Sequence, residues 1–280
     1  MNRRIVLPVA ILGIAALACS ANINLPAVAT AGPSITEDVS VPAPANGPAA
    51  LTISFGAGDL TLAPGASDLV NGTATYNYAT LKPEVVTQDS RVKIKQGDQP
   101  TLPGSLNIKN EWDLKLGAQP MALTVNAGAY TGNFEFGGLS LTSLTVKDGA
   151  ATVDLAFSEP NASSMTLFRY DTGASKVKLT GLANANFGTM DFNSGAGDYT
   201  LDFGGALQRD ATVTVSSGLS NLIVVVPSAV PASVTIESGA SNISAGPGWT
   251  QSGNLYTQAG SGPALTMVIK TGAGNVTLTH

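Results

Sequence analysis

The feature that most constrains this chain is a repeating unit built around a glycine. Gly56, Gly128, Gly149, Gly173, Gly195, Gly218, Gly239 and Gly272 are each followed by alanine, except that Gly218 precedes Leu219. Apolar residues precede most of these glycines by five and three places, as in Leu144 and Val146, Phe168 and Tyr170, or Val213 and Val215. They return four and six places later, as in Val153 and Leu155, Val177 and Leu179, or Tyr199 and Leu201. Alternation with period two is the pattern of a β-strand with one buried face, so each copy reads as two short strands joined across the glycine. The glycine supplies a bend that needs either a positive φ or the absence of a Cβ.

The spacing selects the architecture. From Gly128 through Gly149, Gly173, Gly195 and Gly218 to Gly239 the steps are 21, 24, 22, 23 and 21 residues. A propeller blade needs about 40–45 residues, whereas a step near 22 fits one coil of a β-solenoid. The expectation is an all-β, β-helix-like solenoid with coils of about 22 residues. Stacking aligns the outward positions: Lys147 falls beside Asp171, Asp154 beside Lys178 and Arg169 beside Asp191. The Gly128 copy reads as slipped by two places, with Gly132 where an apolar residue belongs. Residues 63–120 are too long for one coil and are expected to form an N-terminal capping hairpin region or an insertion. Residues 246–264 are expected to be a protruding loop carrying Trp249 and Tyr256 as possible ligand contacts, because flat rings stack on sugars.

The front of the chain has a different character. Arg3 and Arg4 precede a 14-residue apolar run, IVLPVAILGIAALA, ending at Ala18. A membrane-spanning helix needs about 20 apolar residues, so the run suits a signal peptide. Ala16-Leu17-Ala18-Cys19 resembles the bacterial lipobox, which makes Cys19 the expected lipidation site and 1–19 a lipoprotein signal peptide; the alternative is an ordinary signal peptide cut near Ala18 or Ala21, which also exports the chain. Residues 20–48 are expected to be a disordered Ala/Pro-rich tether, and 49–280 the solenoid. The implied location is the outer face of a bacterial membrane, with the membrane itself a partner through the lipid.

Several function classes lack their parts. The formal net charge is −5 with no basic run, so no nucleic-acid partner is expected. Cys19 is the only cysteine and His280 the only histidine, so no catalytic residues, metal site or cofactor is expected. Gly56-Ala57-Gly58-Asp59 and Gly195-Ala196-Gly197-Asp198 look like calcium-binding turns, but Lys176 stands in the same column, and side-chain closure of a tight turn explains the acids. Asp202 and Glu135 occupy equivalent places three coils apart, too far for a hydrolase pair. Trp112 stands in an alternating strand and is expected in the core.

Asn110-Glu111-Trp112-Asp113-Leu114-Lys115-Leu116, followed by LTVNAGAYTGNFEFGGLSLTSLTVKDGAATVDLAFSEPN, resembles the N-terminal "toast rack" domain of bacterial envelope proteins. These are related to cell-wall-active antibiotic response proteins and to adhesin-type β-solenoids. The resemblance covers about residues 85–280, and more weakly from 50. It implies a non-enzymatic envelope role linked to envelope stress, and brings no catalytic residue. The resulting expectation is an exported lipoprotein whose solenoid acts as a scaffold or adhesion module toward envelope glycans or proteins. The alternatives are an exported carbohydrate-binding module or a polysaccharide-acting β-helix enzyme.

Overall fold

The computed structural model describes residues 31–45, 47–97 and 108–280. They form one continuous sheet of sixteen strands. The chain order begins with β1 (Ile35–Val41), β2 (Ala49–Ala66), β3 (Val70–Tyr76), β4 (Pro83–Gln88), β5 (Arg91–Gln96) and β6 (Asn110–Gly117). It continues with β7 (Met121–Glu135), β8 (Leu141–Asp148), β9 (Ala150–Ala156), β10 (Met165–Thr180), β11 (Phe187–Asp202) and β12 (Ala211–Val225). It ends with β13 (Ala232–Ala245), β14 (Thr250–Ser252), β15 (Leu255–Gln258) and β16 (Leu265–Thr279).

The long strands are the sequence repeats, each running through its glycine corner. In β12, Val213, Val215, Leu222 and Val224 are buried while Thr212 and Asn221 face solvent. Burying each such side chain is worth roughly 1.5–3 kcal/mol, and the copies together build one core from Val39 to Leu278. Phe134, Phe136, Phe157, Phe168 and Phe187 run through it, each ring centroid within 6.3 Å of the next. On the return side, Asn161 and Asn184 fix the loops. Asn161 Oδ1 accepts from Leu141 N at 2.7 Å, and Asn184 Nδ2 donates to the Phe157 carbonyl at 2.9 Å.

Stacking is parallel and in register: Ala129 pairs with Ala150, Ala174 with Ala196, and Ala196 with Leu219.

 Within its own column Lys176 lies between Thr152 on one strand and Asp198 on the other. None of the eight repeat glycines has a positive φ. What each lacks is a Cβ: one placed on Gly173 would lie 2.4 Å from the Gly149 carbonyl oxygen, and one on Gly195 2.7 Å from that of Gly173. At Gly128, Gly173, Gly195, Gly218, Gly239 and Gly272 the corner thus brings successive backbones too close for a side chain. The Gly128 copy is not slipped. Gly132 pairs with Val153 and Phe134 with Leu155, and a Cβ on Gly132 would meet the Tyr130 ring at 2.8 Å. The aromatic ring of Tyr130 takes the space of the missing side chain.

At the N-terminal end the sheet continues past β2. The first half of β2 pairs in parallel with β5, which pairs antiparallel with β4. Its second half pairs in parallel with β6, and β3 and β1 follow in antiparallel order. Residues 63–120 therefore hold the end of β2 and strands β3 to β6. The expected tether, 20–48, is corrected in part: Ile35–Val41 is β1, because Val39 and Val41 bury their side chains in the core. Residues 20–30 lie outside the described residues, as does the expected signal peptide 1–19.

The C-terminal end departs from chain order. The strands run β12-β16-β13-β15-β14, so the last repeat copy inserts between the two before it. β16 pairs in parallel with β12 from Ala211↔Leu265 to Val225↔Thr279, and with β13 from Ala232↔Leu265 to Ala245↔Leu278. The expected protruding loop, 246–264, is corrected too. It folds into the β14–β15 hairpin, and β15 pairs antiparallel with Ala232–Thr235 of β13.

Candidate functional site

The outward positions form columns along the stack. Thr36, Thr75, Glu111, Asp59, Thr131, Thr152, Lys176 and Asp198 lie in register from strand to strand, and Asn221, Asn275 and Asn242 complete the row. Asn242 Nδ2 donates to Asn275 Oδ1 at 3.3 Å. Lys176 beside Asp198 and Lys178 beside Asp154 make a checkerboard of opposite charges. Lys147 is the register neighbour of Asp171, and Arg169 that of Asp191. Arg169 Nε, however, donates to Asp171 on its own strand, at 2.8 Å, rather than crossing to Asp191. Burial pushes the Asp171 carboxyl up, but hydrogen bonds from Arg169 and Asn193 outweigh it and hold the group below its ordinary value.

Beside the glycine corner, β11, β12, β16 and β13 line a shallow groove of about 550 Å³. Asn193, Ser216, Lys270 and Glu237 stand along it in register, with Ser217 and Thr271 at the corner. Lys270 Nζ lies 3.7 Å from Glu237 Oε2. The groove offers hydroxyls, an amide and one ion pair, with no ring and no large apolar side chain.

One cluster escaped the sequence reading. Asp148 lies half-buried at the corner, and Tyr170 Oη donates to its Oδ2 at 2.7 Å. Tyr130 Oη approaches the same oxygen at 3.4 Å, Ser175 Oγ approaches Oδ1 at 3.5 Å, and Thr172 Oγ1 donates to Ser175 Oγ at 2.7 Å. Desolvation raises the Asp148 pKa, partly offset by hydrogen bonds from Thr172, Tyr170, Tyr130 and Ser175. Burial raises both tyrosines, so they stay protonated and act as donors. From Gly149 on, the position just before the glycine reads Asp148, Thr172, Ser194, Ser217, Ser238 and Thr271. That run of polar residues on an otherwise apolar side was the signal.

The acids weighed for catalysis serve the backbone or stand in the outward columns. Asp202 Oδ1 accepts from Gly204 N at 2.8 Å, and Glu135 Oε1 accepts from Gly137 N at 2.6 Å and Ser158 N at 3.1 Å. Among the described residues no group of three or more His, Cys, Asp and Glu is placed to hold a metal ion. Trp112 is buried, its ring edge-on to Phe55 at 5.2 Å. Tyr256 is only 4% exposed and belongs to the core, which removes it from the ligand contacts expected of it. Trp249 is half-buried against that core and stacks on His280 at 6.4 Å. The structure thus brings Trp249 to the end of the stack but does not join it to Tyr256 in an open site. Cys19 lies outside the described residues. Among the described residues no helix is long and apolar enough to cross a membrane.

Comparison with known proteins agrees with this geometry. The family model of the N-terminal domain of toast_rack, DUF2154, matches residues 30–179. The match begins earlier than the resemblance read from the sequence, and takes in β1. No curated protein matches the chain. Among solved structures, a Clostridium sporogenes protein described as a candidate cell adhesion protein is 19% identical, with a TM-score of 0.53 over 88% of this chain and 99% of that one. A candidate adhesin from Bacteroides fragilis is 11% identical, with a TM-score of 0.46 over 88% of this chain and 96% of that one. The first of these shares the fold.

Proposed function

Since the chain belongs to the family of the N-terminal domain of toast_rack, DUF2154, we propose that it is a non-enzymatic interaction module of the bacterial cell envelope, acting as a scaffold or adhesin. The observation that carries this reading is the alignment of outward Thr, Asn and Ser side chains into columns along the stack. Identical groups repeated at the spacing of adjacent strands, about 4.8 Å, suit a repetitive surface better than one small substrate. The name of the C. sporogenes protein points the same way. The test is co-sedimentation of the purified protein with isolated bacterial cell walls. Retention without release of sugars is expected. Release of reducing ends or unsaturated sugars, abolished by changing Asp154, Asp191 or Asp202, would overturn the reading in favour of an enzyme.

The anchoring half of the proposal rests on the lipobox-like Ala16-Leu17-Ala18-Cys19. Acylated Cys19 would hold the domain on the outer face of a membrane. Cys19→Ala is then expected to move the protein from the membrane to the soluble fraction, and an unchanged distribution would remove the lipid from the account.

The corner groove favours one second reading, glycan binding. Hydroxyl, amide and charged groups in register could hydrogen-bond a polyhydroxylated chain lying along the stack. Asn193→Ala and Lys270→Ala should then weaken retention on the polysaccharide, whereas equal retention would return the groove to ordinary surface.

A further inference from the structure

The exposed edges of this sheet differ in their protection. Proteins blunt free edges with charge, proline or brevity, because an unpaired row of N–H and C=O groups invites another strand. β4 begins with Pro83 and carries Glu84, β1 carries Glu37 and Asp38, and β14 has three residues. The second half of β13 has none of these devices. β15 covers Ala232–Thr235 only, and among the described residues no strand pairs with the outer edge from Ser238 to Ala245. These eight residues, SGASNISA, contain neither charge nor proline. Ile243 is only half-buried, whereas its neighbour Val276 on β16 is 1% exposed.

We propose that Ser241–Ala245 is a homotypic docking edge, through which two copies of this chain join tail to tail as antiparallel strands centred on Ile243. Residues directly opposite in an antiparallel pair point to the same face. This register sets Ile243 against Ile243, so the apolar side chain that the end of the stack leaves half-covered is covered by its own counterpart. It sets Asn242 against Ser244 on the outward face, a hydrogen-bonding pair, and Ser241 against Ala245. Glu237, the one charged residue of β13, lies outside the paired segment, so no like charges meet. Pro247 ends the pairing beyond Gly246. A single strand sequence thus meets the demands of both sides of a two-fold contact.

Five residue pairs make a small interface, so the contact is weak and gains strength from many copies on one surface. Its place in the molecule gives it direction. β1 and β13 are ten strand steps apart on the sheet path, about 48 Å at about 4.8 Å per step. Tail-to-tail pairing points the two N-terminal ends away from each other. Resting here on the adhesion reading, copies anchored at their N-termini on opposing membranes would be joined by their far ends.

Sedimentation equilibrium of the purified chain tests the edge itself. A concentration-dependent dimer is expected, and Asn242→Lys and Ser244→Pro should each weaken it at least tenfold. Asn242 is exposed, so Asn242→Lys keeps the test decisive even if the proline variant fails to fold. In a Cys19→Ser background, Ile243→Cys should give a disulfide-linked dimer on mild oxidation and Ala240→Cys should not. A monomer at every concentration, or a dimer indifferent to Asn242→Lys, would overturn the proposal. Coupling the protein to maleimide-lipid vesicles through Cys19, its only cysteine, tests the setting. Vesicle clustering lost with Asn242→Lys supports adhesion between surfaces. A dimer in solution without clustering upholds the edge and overturns that setting.

Discussion

Gly173 and Gly188 should respond very differently to the same substitution. A Cβ on Gly173 would lie 2.4 Å from the Gly149 carbonyl oxygen, whereas one on Gly188 meets nothing within 4 Å. Gly173→Ala is expected to cost about 2 kcal/mol or more, and Gly188→Ala to stay within about 0.5 kcal/mol, by urea denaturation. Equal effects would mean that the corner is not a close backbone contact. Asp148 sets a second test. Its pKa is raised in the folded state by burial, so the native state favours its protonated form. Its contribution to stability is therefore best below the unfolded value near pH 4 and falls as the pH rises through the raised value. Asp171 acts in the opposite sense, its stability present above the unfolded value and lost on acidification. Comparing Asp148→Asn with the unchanged protein isolates the first effect. The variant should gain relative stability between about pH 4 and neutrality, with Tyr170 still donating to the retained amide oxygen. A constant difference across that range would show that Asp148 does not titrate differently on folding.

Among the elements, β16 is paired along its length on both sides, to β12 and to β13. Removing residues 265–280 should strip amide protection from all of 232–258, which reaches the stack only through β16, while Met165–Thr180 keeps its protection. Hydrogen exchange would read this directly, and surviving protection in 232–258 would mean that β13 can dock on β12 alone. The sequence shows the strands and faces well, because alternation at Val153 and Leu155 or Val213 and Val215 leaves only one way to bury them. It does not show the order at the C-terminal end. Asn221, Asn242 and Asn275 occupy one column, and Val234, Ile236, Met267 and Ile269 bury equally well in either order, so the repeat is degenerate to the exchange. The hairpin at 250–258 hid for another reason: its strands are three and four residues long, and glycine and threonine flank the buried Tyr256 at a distance that also suits a loop. β1 was obscured by its Pro-rich surroundings, with only Val39 and Val41 to mark the alternation.

At the scale of the whole molecule, the proposed functions depend on which groups share a column and which edge ends the stack. The groove exists because Ser216, Lys270 and Glu237 are consecutive in space, though Lys270 comes last in the chain. The edge at Ser241–Ala245, unpaired among the described residues, exists because β13, and not β16, is the outer full-length strand. Both follow from one claim, that β16 separates β12 from β13. Paired cysteines in a Cys19→Ser background test it most directly. Thr214 pairs with Val268, which in turn pairs with Thr235, so Thr214 and Thr235 lie two strands apart. A disulfide needs Cα atoms within about 7 Å, which adjacent strands meet and strands about 9.6 Å apart do not. Under mild oxidation Thr214→Cys with Val268→Cys should form an intramolecular disulfide, and Thr214→Cys with Thr235→Cys should not. Cross-linking of the second pair and not the first would place β13 directly on β12 and contradict the account.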